Sequence, residues 1–181
     1  MHRASARLSQ MVLCAFFVAL TAVCSQIQVP LPVIPINLAL FSVFVCGALL
    51  GPLCGLAAMA AYTLLAAVGV PVLSGFAGGL SALLGPTGGY VLGYILCAAV
   101  TGLWVRRFGS SLRMLFAGMA LGLLSCYVPG TLWFMLVTGR GAIESLSLCV
   151  LPFLPGDAIK IVLAALLTRR LQAPYARILS R

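Results

Sequence analysis

"LPFLPGDAIKIVLAALLTRR", residues 151–170, decides how this chain is read. It opens on prolines, holds the only Asp and the only Lys of the chain (Asp157 and Lys160), runs apolar from Ile161 to Leu167 and closes on Arg169 and Arg170. An apolar stretch ended by paired arginines is the pattern of a membrane helix whose last turn reaches the cytoplasm. Composition agrees. Hydrophobic residues make up 63% of the 181-residue chain and charged residues 7%, whereas soluble domains carry about 25% charged residues. No succession of alternating ten-residue segments suggests a β-barrel. The expected class is an all-α integral membrane protein in one domain, residues 1–181.

A spanning helix needs about 20 apolar residues. Working outward from the opening stretch, six spans are expected, near residues 8–28, 36–50, 53–69, 86–105, 112–137 and 155–168. The second ends at Gly51-Pro52. Six spans place Arg3 and Arg7, Arg106, Arg107 and Arg113, and Arg169, Arg170, Arg177 and Arg181 on one side, leaving only Arg140 and Lys160 elsewhere. The positive-inside rule then makes both termini cytoplasmic; five or seven spans would divide the clusters. The net charge of +9 is thereby explained by orientation, and no basic patch interleaved with aromatics calls for nucleic acid. Arg3 and Arg7 before an apolar run mimic a signal peptide, but Val23 is bulky where a cleavage site wants a small residue, so a retained first helix is expected.

Three outer connections follow: "VPLPVIP" (29–35), "VPVLSGFAGGLSALLG" (70–85) and "TGRGAIESLSLCVLPFL" (138–154). All are weakly charged and rich in Pro or Gly, and can fold back where protein buries them. The seven Cys form no CxxC and the only His is His2, so no metal is expected and Cys reads as a small apolar residue.

Pro155 and Gly156 fit a helix start, which puts Asp157 near the positive end of the helix dipole. Residues three apart share a face, so Asp157 and Lys160 point the same way. The bland reading is a cap with an internal ion pair. Against it, intramembrane charges are costly and mark substrate or ion paths. A carboxylate acceptor beside an ammonium donor suits a ligand with both donor and acceptor groups. In "GFAGGLSALLGPTGGYVLGY" (75–94), Gly89 and Gly93 read as close helix packing, while Gly75, Phe76 and Gly79 belong to a glycine-rich loop able to close over a ligand. Tyr90 is a stacking or hydrogen-bonding group, or an interfacial tyrosine. Asn37 is ligand-facing or interfacial. Ala15 and Ala19 make a small-xxx-small surface for another helix. No Walker A, HExxH or GxSxG motif occurs. Energy for concentrating a solute would have to come from a partner.

"LLGPTGGYVLGY" (83–94) together with "LPFLPGDAIK" (151–160) resembles the BioY family, the biotin-specific substrate-binding components of energy-coupling factor (ECF) transporters. The likeness runs from about Ala15 to Leu167 and includes "IPINLALFSVFVCGALLGP" (34–52) and "GVPVLSGFAGG" (69–79). It implies a six-helix, non-catalytic subunit in the cytoplasmic membrane of a prokaryote. It implies biotin as ligand with no cofactor, and assembly with a transmembrane coupling component and two cytoplasmic ATPases. It further implies that Asp157 and Lys160 contact the ureido head of biotin, that Ala15 and Ala19 lie on the docking surface for the coupling component, and that the whole subunit topples during transport. Many members read PITLQ where this chain reads PINLA, so Asn37 replaces Thr and Ala39 replaces a Gln. Alternatives are a binding component for another small vitamin, an intramembrane enzyme using Asp157 as acid or base, and a scaffold bundle with a structural ion pair.

Overall fold

The computed structural model describes residues 2–29 and 36–179. Most of the connection 29–35 and the C-terminal Arg181 lie outside the described residues. Seven α-helices appear among the described residues: α1 (His2–Gln26), α2 (Ala39–Ala67), α3 (Leu80–Leu84), α4 (Gly88–Phe108), α5 (Leu112–Thr138), α6 (Ala142–Cys149) and α7 (Leu154–Leu179). A two-residue antiparallel pair, β1 (Gln28–Val29) with β2 (Ile36–Asn37), links α1 to α2. α1, α2, α4 and α5 are each long and apolar enough to cross a membrane, and α6 with α7, bent by 50° at their junction, form a fifth candidate. Helix is the expected outcome for such a chain, because lipid offers backbone N–H and C=O groups no partners.

The expected spans 36–50 and 53–69 map onto α2, which starts later because residues 36–37 form β2, and which is not one straight rod. Gly51 inside it has φ +79° and ψ −179°, a conformation that glycine adopts without the steric cost of a Cβ, and Pro52 follows with no N–H to lose at a helix start. The break reverses the chain. In a continuous helix Gly47 and Gly55 would lie about 12 Å apart, yet a Cβ on Gly55 would come 3.2 Å from the Gly47 Cα. The two halves are therefore packed side by side. α4 seals this turn, because a Cβ on Gly102 would come 2.6 Å from the Gly51 carbonyl carbon and the Pro52 nitrogen. α2 is the hub and packs on α1, α4 and α7, with α5 against α4.

Polar groups join the helices at the opposite end. The Thr21 and Ser42 hydroxyls pair at 2.9 Å, and Ser25 pairs with the Tyr62 hydroxyl at 2.7 Å. Tyr62 also donates to the Val72 carbonyl. α1 is thus knitted into the core. Around the circumference large apolar side chains such as Leu53, Leu64, Val128, Leu136 and Leu163 are exposed, the arrangement of a protein whose solvent is lipid.

The connections 70–85 and 138–154 are more structured than their Pro and Gly content suggests. Residues 70–85 contain a single 3-10 turn (Ser74–Phe76) and α3. Residues 138–154, expected to be irregular, contain α6. α5 ends where Gly139 adopts φ +69° and its N–H donates to the Met135 carbonyl, a left-handed C-cap that lets the chain turn straight into this short helix. α7 continues well past the expected end at Thr168, because Arg side chains are good helix formers.

Candidate functional site

α7 starts at Leu154 and has Asp157 in its first turn. The following turn brings Lys160 over it: Lys160 Nζ donates to Asp157 Oδ1 at 2.7 Å. The second carboxylate oxygen, Oδ2, accepts a hydrogen bond from the Tyr127 hydroxyl of α5. Asp157 is wholly buried and Lys160 nearly so. A buried carboxylate is tolerable only when paired and hydrogen-bonded, and here both conditions are met by two different helices.

This cluster forms the floor of a cavity of about 390 Å³, within the size range of small-molecule sites. Its inner wall is aromatic. Tyr62 and Tyr94 lie with ring centroids 6.4 Å apart, and Tyr90 meets Tyr127 edge-on at 6.5 Å. All four line the cavity. The Tyr90 hydroxyl pairs with Thr131 at 2.9 Å, which fixes the ring. The outer wall is the segment between α2 and α4. It is held down by Trp133 Nε1, which donates to the Gly85 carbonyl at 3.0 Å, and by Gln26, whose Nε2 donates to the Leu73 carbonyl while its Oε1 accepts from the Phe76 N–H. The cavity therefore offers one acceptor–donor pair at depth, aromatic sides and hydroxyls toward the rim.

The structure brings Asp157, Lys160, Tyr90 and Asn37 to this one cavity. Asn37 spans two elements: its Nδ2 donates to Ser74 Oγ at 2.6 Å and its Oδ1 accepts from the Ala39 N–H at 3.0 Å. Gly75, Phe76 and Gly79 belong to the wall segment but do not line the cavity; Ser74 and Ala77 do. The reason is local geometry. Gly75 at φ +70° and Phe76 at φ +57° turn the chain so that Phe76 is 71% exposed. Gly79, at φ +90°, immediately precedes α3. Gly89 packs under Trp133, and Gly93 under Cys126, which is the close approach their spacing suggests. Ala15 and Ala19 lie on the exposed face of α1. Among the described residues no three His, Cys, Asp or Glu side chains gather to hold a metal ion.

Sequence reasoning missed Tyr127, Tyr62, Tyr94 and Ser25. Tyr62 and Tyr127 are the only tyrosines of α2 and α5, and Tyr94 lies one turn after Tyr90 in α4; in such apolar helices a tyrosine hydroxyl must find a partner. That is a signal for a buried network, but it does not name the partner.

The sequence profile of the BioY family matches residues 1–177 of this chain. The chain belongs to the BioY family. Among its relatives, the biotin transporter BioY of Thermotoga maritima is 40% identical over 164 residues, covering 90% of this chain and 95% of that protein. The probable biotin transporter BioY of Pyrococcus horikoshii is 36% identical over 160 residues, covering 88% and 94%. Among solved structures, the crystal structure of the S-component for biotin from an ECF-type ABC transporter superposes with a TM-score of 0.86 at 27% identity, over 92% of each chain. The BioY fold thus accounts for the path of the helices that build the cavity.

Proposed function

We propose that this chain is the biotin-binding subunit of an ECF-type importer in the cytoplasmic membrane of a prokaryote. The observation that carries the reading is the buried Asp157–Lys160–Tyr127 cluster at the floor of a tyrosine-walled cavity, in a backbone that follows a biotin S-component. The ureido head of biotin presents two N–H donors and a carbonyl acceptor. An ionised carboxylate has about four lone-pair sites. Two are engaged by Lys160 and Tyr127, leaving room for one ureido N–H, while the ammonium of Lys160 donates to the adjacent ureido oxygen. Tyr90 packs on the bicycle. Asn37 holds the wall segment, and Gly75, Phe76 and Gly79 give it the bends that close it over the ligand.

Six membrane crossings with both termini cytoplasmic belong to the same proposal. Its support is the reversal of α2 at Gly51, which adds the sixth segment needed for α1, the two halves of α2, α4, α5 and α7 to alternate in direction. With that alternation the Arg clusters at 106–113 and 169–177 fall at the end opposite the cavity. The subunit itself does no chemistry: transport energy comes from two ATPases acting through a coupling component that docks on the Ala15–Ala19 face of α1. The test is titration calorimetry of the purified protein, stripped of co-purified ligand, with biotin. One-to-one binding lost in Asp157→Asn supports the reading, and no heat from a folded sample rejects it.

A further inference from the structure

The cavity holds a cation that is already spent. Lys160 lies against Asp157 at 2.7 Å, with the pair buried, so the floor is electrically neutral. Bringing a carboxylate to Lys160 would leave three buried charged groups with a net charge of −1, and an unbalanced charge inside a membrane protein is costly. Among the described residues no cation other than Lys160 lines the cavity. The segment 30–35 reads PLPVIP and carries no charge. Arg106 stands 18 residues along α4 from Gly88, about 27 Å at ~1.5 Å per residue, and Arg169 stands 12 residues along α7 from Asp157, about 18 Å. Among the described residues, Arg140 is the one basic side chain left in the connections at the cavity end in the proposed topology. It does not line the cavity, it is exposed, and it is paired with Glu144 one turn away. The rim instead presents neutral hydroxyls: Ser81 is exposed, and Ser74 and Thr87 are half-buried.

Resting on the proposal that biotin is the ligand, we infer that the site recognises the head of biotin and is indifferent to the charge of its tail. The valerate leaves through the rim past Ser74, Ser81 and Thr87, with its carboxylate toward water and unpaired with any cation. The ligand class is therefore wider than free biotin: it includes uncharged tail derivatives such as biotinamide.

The experiment is competitive binding of biotin and biotinamide to the full-length protein in lipid nanodiscs, with wild type and Arg140→Gln. Biotinamide binding within tenfold of biotin, with Arg140→Gln leaving both affinities within threefold, is the expected result. Tight biotin binding with biotinamide weaker by more than tenfold overturns the inference while leaving the biotin reading intact. If Arg140→Gln then closes that gap, Arg140 is the carboxylate's partner; if the gap persists, the carboxylate is read by Lys160 or the rim hydroxyls. Binding of neither ligand by folded protein overturns the biotin reading and this inference with it.

Discussion

Asp157 is held by two donors from two helices, and the consequences of removing each differ. Lys160→Ala leaves a buried carboxylate without its counter-charge, and breaking one side of a buried pair costs ~3–5 kcal/mol. Tyr127→Phe removes one neutral donor and should cost about 1–3 kcal/mol, with a smaller loss of biotin affinity. Thermal unfolding in detergent ranks the two; equal effects would mean that Tyr127 and Lys160 act as one unit. Removing both charges separates binding from stability. Asp157→Asn with Lys160→Met should restore most of the melting temperature and still bind biotin more than tenfold worse. Recovered binding in that double variant would assign the pair a structural role only. The pair itself was legible in the sequence, since a lone Asp and a lone Lys three residues apart on a helix must share a face. Tyr127 was not, because it reaches Asp157 from 30 residues away in another helix, and helical spacing says nothing of such partners.

At the scale of elements, Gly-Pro at 51–52 marked a helix end, and the chain does break there. What sequence spacing did not reveal is how tightly α4 closes on the turn. Gly102 has no room for a methyl group: its Cβ would meet backbone at 2.6 Å. Backbone cannot move aside as a flexible side chain can, so Gly102→Ala should destabilise by at least the 1–3 kcal/mol typical of overpacking. Gly51→Ala meets no atom within 4 Å and should cost less than that, only the strain of an essentially Gly-only φ/ψ region, of order 1–3 kcal/mol. A chemical or thermal melt showing the opposite order would refute this account of the hairpin. α6 escaped the sequence reading for a related reason. Eight residues are too short for a periodic pattern to stand out from the flanking Gly and Pro, and the helix is made by its setting: Ser145 and Cys149, one turn apart, are buried while Ile143 is 84% exposed.

For the whole molecule, the proposed orientation rests on charge and the proposed partner face on small residues. A fluorescent protein fused after Arg181 should fold and fluoresce in the cytoplasm, and an alkaline phosphatase reporter placed in the Gly139–Gly141 turn should be active outside; the reverse pattern would invert the topology. Ala15 and Ala19 are exposed on α1 although the helix buries its other side against α2. Ala15→Trp with Ala19→Trp should leave biotin binding within threefold of wild type and abolish co-purification with a coupling component. Retained assembly would remove this face from the partner interface.

The central claim is that the Asp157–Lys160 floor binds biotin. Titration calorimetry of ligand-stripped protein with biotin, run beside the Asp157→Asn/Lys160→Met variant, tests it most directly. The account predicts one-to-one binding by the wild type and at least tenfold weaker binding by a variant that melts as a folded protein. No binding by folded wild type, or equal binding by both proteins, would contradict it.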